Sequence, residues 1–171
     1  MKKTILTLAL SVSMIFGALQ LKAQNKFAYV DFHELMTSMP EYKKAQSEME
    51  VYSKTLQEEG KKLSTEFETK LAAYQKEGAK LNEIQKELRE KDLRDLQTRY
   101  QEFQEMAQSK QSEKEQSLLK PIVEKAKATI STVAKEGGYS YVFDSSPGSP
   151  ILYKPDGDNI IGLVKKKLGI M

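Results

Sequence analysis

The chain has 171 residues, with 27 Lys+Arg against 24 Asp+Glu, a single histidine, no cysteine and a mean hydropathy of −0.56. Without cysteine there is no disulfide framework and no lipid-attachment site of the bacterial lipoprotein kind. The formal charge of +3 is no argument for nucleic acid: Lys2, Lys3 and Lys22 fall in an apparent leader, 27 minus 3 leaves 24 basic against 24 acidic residues, and no basic stripe carries interleaved aromatics.

The leader comprises basic Met1-Lys2-Lys3, an apolar run from Ile5 to Leu19, and Leu21-Lys22-Ala23. That order predicts a secretory signal over 1–23, cleaved after Ala23. The run is short for a span of roughly 20 residues. The mature protein is expected to be free and soluble in an oxidising compartment, held together by packing or assembly.

Lys26 to Phe32 is aromatic and β-branched and reads as a strand, and His33 to Met36 reads as a short turn or a helical turn. Pro40 followed by Glu41 is a helix start, because proline lacks an N–H that would be orphaned there and acid suits the positive helix end. Residues 41–120 contain no proline, 16 Lys+Arg and 17 Asp+Glu, the composition of long solvated helix. Apolar or small residues recur at Tyr42, Ala45, Met49, Tyr52, Leu56, Gly60, Leu63, Phe67, Leu71, Tyr74, Gly78 and Leu81: 39 residues in 11 steps, or 3.55 per step. A period that close to 3.5 is a narrow seam facing another helix.

A turn is expected at 78–82, with Gly78 in a left-handed C′ position and Asn82 and Gln85 as a capping box. The returning helix then presents Ile84, Leu88, Leu96, Tyr100, Phe103 and Met106/Ala107. A continuous rod would instead separate its flanks by roughly 120 Å, whereas both flanks look like parts of one head. The polar run from Gln108 to Ser117 has no seam and is expected to be the loosest part of the hairpin.

From Pro121 the pattern broadens: Leu118, Leu119, Ile122, Val123, Ala126, Ile130, Val133 and Ala134 form a face wide enough for a sheet, ending at Gly137-Gly138. Strands are expected at Tyr139 to Asp144 and Ile151 to Lys154, then a turn from Pro155 to Asn159 and a helix from Ile160 to Leu168. The head, 24–40 plus 121–171, is undersized for an independent core and its strands leave open edges. Strands from several copies completing one sheet or barrel would resolve both problems. The head-strand residues expected to mediate this are Phe27, Tyr29, Val30, Tyr141, Phe143, Ile151 and Tyr153.

Phe27-Ala28-Tyr29-Val30-Asp31 before a proline-started charged helix resembles the Skp/OmpH family of periplasmic holdase chaperones. So do Leu119-Lys120-Pro121-Ile122 and Gly138 to Asp144 leading to Ile151-Leu152-Tyr153 and Asp158 to Val164. The likeness covers the whole mature chain. It implies an α+β, mostly α fold: a homotrimer with a small β-barrel body and antiparallel helical hairpins, coiled-coil tentacles, around a cavity. Unfolded outer-membrane β-barrel proteins would be the clients, held in the periplasm without ATP or any cofactor. A basic lipopolysaccharide-binding cluster credited to some members has no match here.

Client contact would fall to residues off the seam, Val51, Ala72, Ala73 and Leu93, and to seam residues a trimer leaves partly exposed, Met49, Tyr52 and Tyr100. His33 has no partner for metal or catalysis, and Pro155 to Asn159 lacks EF-hand spacing. Lys165 to Lys167 could meet an anionic membrane surface or an acidic client, or solubilise a helix face. No nucleophile with its base, phosphate loop or paired-carboxylate pocket is present, so an enzyme is not expected. The competing expectation is an exported adaptor coiled coil of the envelope.

Overall fold

The computed structural model describes residues 25–154 and 157–170; the expected signal and its cleavage point lie outside them, as do Pro155 and Asp156 of the expected turn. In chain order the elements are β1 (Phe27–Val30), α1 (Phe32–Ser38), α2 (Pro40–Glu77), a 3-10 turn (Gly78–Lys80), α3 (Glu83–Glu136), β2 (Tyr141–Asp144) and α4 (Ile161–Leu168). The protein is thus mostly helical, with long helices and a two-stranded β region.

β1 and β2 pair in parallel, Phe27 opposite Tyr141 through Val30 opposite Asp144. Parallel neighbours need a long crossover, and here the crossover is α2 and α3 themselves. Alternation along β1 turns Ala28 and Val30 inward, where they join Leu35, Met36, Met39, Ile122, Ala126, Val133, Ile160 and Val164 in one core.

The head is tied by its caps. Asp31 Oδ1 accepts from the Glu34 N–H at 2.8 Å, Asp144 Oδ1 from Phe32 N–H at 3.2 Å, and Ser146 Oγ from His33 N–H at 3.1 Å. Three orphan donors at the start of α1 are satisfied, one by the last residue of β2 and one by the segment just after it. At the other end of α3, the Tyr139 N–H bonds to the Ala134 carbonyl and the Gly138 N–H to the Lys135 carbonyl, with Gly138 at φ 68°. This is a Schellman stop, which requires a residue tolerant of positive φ.

α2 and α3 pack antiparallel. Lys70 Nζ lies 2.9 Å from Asp92, Tyr74 OH donates to Glu90 at 2.6 Å, Gln111 donates to Ser53 at 3.1 Å, and Lys114 lies 3.6 Å from Glu48. Lys125 pairs with Glu41 at the root, where its hydrogen bond holds the Glu41 carboxyl below its ordinary range. Residue numbers in these pairs add to between 162 and 166, a single unslipped register. The polar run from Gln108 to Ser117 remains helical within it, gripped through Gln111 and Lys114.

Four sequence expectations are corrected. Gly78 is right-handed, at φ −53°: the chain tightens into a 3-10 turn and reverses through extended Leu81 and Asn82, whose capping box with Gln85 is present. No new helix begins at Pro121; α3 runs through it, since one missing N–H is tolerated where the flanking turns are held by packing of Leu118, Leu119 and Ile122. Residues 151–154 form no strand: β1, with which they line one hollow, already pairs with β2 on one edge and meets Asn159 on the other. Val30, expected at an interface between copies, is buried in its own chain's core, and Tyr29 is buried too.

Candidate functional site

The arms are built from a seam too thin to seal. All twelve predicted seam positions, ten on α2 and Gly78 and Leu81 at the turn, are at least half-buried, yet only Ala45 is fully buried. On α3 only Leu96, at 1% exposure, is fully buried before Ile122 is reached. Two helices touch along a line, so each ring or aliphatic chain keeps one flank in solvent. The hairpin therefore displays half-covered apolar groups, including Tyr52, Phe67, Tyr74, Tyr100 and Phe103, over most of its length.

Of the residues expected to touch a client, Met49, Tyr52 and Tyr100 are half-buried in this seam, and Val51, Ala72 and Ala73 are exposed. Leu93, expected off the seam, is half-buried, one three-residue step before Leu96. Ile84 and Leu88, expected on the returning face, point outward, Ile84 at 70% exposure. Leu88 precedes Leu96 by eight residues, about 80° out of phase at 3.6 residues per turn, and half-buried Lys86 takes the seam position beside it. Counting steps back from Leu96 through Leu93 would have found this. Met106 is likewise exposed and Ala107 takes the inner position.

The head carries a second apolar surface. Phe27, Tyr141 and Phe143 share the outer face of the two-stranded sheet, with ring centroids 5.8 Å (Phe27–Tyr141), 6.0 Å (Phe27–Phe143) and 6.3 Å (Tyr141–Phe143) apart. All three are exposed. Beside them a hollow of about 810 Å³ is lined by Tyr29, Ile151, Leu152 and Tyr153 among others; Leu152 is fully exposed (100%) and Tyr153 nearly so (84%). The alternation of β1 and β2 makes this ladder legible in sequence, whereas the bare state of 152–153 depends on what it lacks within one chain.

The lysine run of α4 is largely engaged: Lys165 Nζ sits 2.7 Å from Glu34 and Lys167 Nζ 2.6 Å from Glu136, fastening the terminal helix to the head. His33 lies exposed on α1. Among the described residues no group of three His, Cys, Asp or Glu side chains could hold a metal, and no helix is long and apolar enough to cross a membrane.

Comparison with curated proteins finds no match. The family model described as Outer membrane protein (OmpH-like) matches residues 26–168, from the first strand through the last helix. A match over that span, on a chain that closes β1 and β2 around one long hairpin, means that this protein belongs to the OmpH-like family.

Proposed function

We propose that the protein is an ATP-independent periplasmic holdase that binds unfolded outer-membrane β-barrel proteins between helical arms and keeps them from aggregating. Membership of the OmpH-like family supports the compartment and the class of client. The observation that carries the reading is the incompletely buried seam: over the 80 residues of hairpin from 41 to 120 only Ala45 and Leu96 are sealed. An adaptor coiled coil would gain stability by burying that seam, whereas a holdase needs many weak apolar contacts presented on a charged, soluble frame. Each contact is small, so a client leaves when its own folding in lipid removes it from the equilibrium.

The acting unit is a homotrimer. Heads formed by 24–40 and 121–171 join through Phe27, Tyr141, Phe143 and the 151–154 segment, and arms formed by 41–120 project from them. A two-stranded sheet is marginal alone, and an aromatic ladder beside a bare Leu-Tyr pair is the surface a second copy would cover. With α3 continuous through Pro121, head and arm differ in role rather than at a break in the helix.

The test is light scattering from a urea-denatured outer-membrane β-barrel diluted with and without the mature protein, together with the protein's mass in solution. Suppression at near-stoichiometric trimer and a mass three times that of the chain are expected. A stable monomer that leaves scattering unchanged would refute the reading and favour the adaptor.

A further inference from the structure

The two flanks of the hairpin differ in kind. On one, the arms enclose a groove of about 610 Å³ between residues 53–64 of α2 and 100–111 of α3. Its floor opens at Gly60, where a Cβ would lie 3.1 Å from Phe103 Cε1, so that ring fills the glycine's place. Its walls are Gln57, Gln104, Gln108 and Gln111 with Ser53 and Ser64, and of the twelve residues lining it Lys61 alone is charged. In a stretch this rich in Lys and Glu, a neutral amide wall is a departure. By helical phase the opposite flank at the same level carries Glu59, Lys62, Glu66, Arg99 and Glu102. Ion pairs such as Lys62–Glu59 at 2.7 Å hold that side in a solvated, charged state.

Within the holdase reading, on which this rests, we propose that the amide-walled groove is the arm's docking site for an extended stretch of client backbone. Each glutamine amide carries two donor hydrogens and an acceptor carbonyl with two lone pairs, matching the alternating N–H and C=O of a strand that has not found its neighbours; at Gln111 one donor is already given to Ser53, which leaves the other donor and the carbonyl. Tyr100 and Phe103 supply an aromatic floor without asking for a particular side chain. The lack of charge fits a ligand whose shared feature is its backbone, since an anionic or cationic partner would be met by the opposite sign. Twelve helical residues, or eleven rises, run roughly 16 Å, the length of about five residues of strand. The exposed aliphatics Val51, Ile84, Leu88 and Met106 lie by phase on the charged flank and stay outside this contact.

The chain's lack of cysteine makes the test direct. Gln104→Cys in the groove and Met106→Cys on the other flank each carry an environment-sensitive dye, and the assembled protein is mixed with a urea-denatured eight-stranded outer-membrane β-barrel. The dye at 104 is expected to respond and the dye at 106 to stay near its client-free signal. In parallel, the double variant Gln104→Glu/Gln108→Glu is expected to weaken client binding about tenfold, the loss of a few amide hydrogen bonds, whereas Glu102→Gln/Met106→Gln stays within about twofold. A response at 106 alone, or parental binding by the Glu double variant, would overturn the groove while leaving the holdase reading intact. A parent that fails to bind the client refutes both. Should the Glu variant lose helicity by circular dichroism, the dye comparison decides alone.

Discussion

Leu96 is the test of how the arms are held. It is the one fully buried side chain of α3 between the tip and Ile122, and the register places it opposite Phe67. Full burial of a leucine contributes about 1.5–3 kcal/mol through transfer alone, and a cavity term adds to this where surroundings cannot relax. A two-helix arm has solvent on both flanks and can close over the gap, so Leu96→Ala belongs at the low end, about 2 kcal/mol. Because no wider core backs the arm, the loss should appear as local opening. Native-state amide exchange is the assay: at about 1.4 kcal/mol per tenfold, protection in segments 60–75 and 90–103 should fall about 30-fold. The head amides of β1 and α1 should keep theirs. A change below about threefold would mean that the half-buried rings, rather than Leu96, carry the arm. Equal loss in head and arm would mean that they open as one unit, and the reasoning from a thin seam would fail.

Three further outcomes follow from the caps and the helix interior. Asn82→Ala removes the half of the capping box in which Asn82 Oδ1 accepts from the Gln85 N–H, while the backbone N–H at 82 can still donate to Gln85 Oε1; it should cost about 1 kcal/mol, read as about fivefold faster exchange at residues 83–86 with the end of α3 unaffected. Pro121→Ala restores the N–H that the Ser117 carbonyl lacks. The helix preference of about 3 kcal/mol, less about 0.4–1 kcal/mol for a freer unfolded chain, predicts a net gain of about 2 kcal/mol and a higher urea midpoint; a lower midpoint would show that the ring's packing at the root of the arms outweighs the bond. At Asp144, burial pushes the carboxyl up, but hydrogen bonds from the Ser146 hydroxyl, the Ser146 N–H and the Phe32 N–H together hold it below its ordinary 3.8. A carboxyl depressed in the folded state stabilises above its unfolded pKa and loses that contribution as pH falls through its folded value. The urea midpoint of the parent should therefore drop more steeply on acidification below about pH 4 than that of Asp144→Asn, which keeps an acceptor but cannot titrate; parallel curves would count against the cap.

How much of this was legible in the sequence depends on the range of the interaction concerned. The Asn82–Gln85 box, the Gly137-Gly138 stop and the α2 seam are local signals, and each is found where spacing puts it. Ile84 and Leu88 misled because an apolar residue near a helix start carries no phase by itself; the phase is set from Leu96, where two arms already in register meet. The hydrogen bonds of Asp144 and Ser146 to the N–H groups of Phe32 and His33 span more than 110 residues, and no pattern in either segment announces them. The groove at Gly60 was invisible for a similar reason. The glycine reads as one more seam position until Phe103 is seen lying against it, and the glutamines read as solvated filler until both arms place theirs on one flank.

The 151–154 segment marks a different boundary. Ile151-Leu152-Tyr153 has strand composition, yet within one chain it is left bare, with Leu152 and Tyr153 almost wholly in solvent. Strand propensity expresses how a side chain packs on a pleated, half-buried surface rather than a preference of the isolated backbone. It therefore goes unrealised where no such surface is supplied. In this chain β1 is flanked by β2 and by the Asn159 bridge, so its two edges are taken, while the outer edge of β2 and the rings of Phe27, Tyr141 and Phe143 stay open. A segment that wants a sheet and a sheet that wants an edge coexist on one head without meeting. Association of copies, as proposed above, would meet both demands at once.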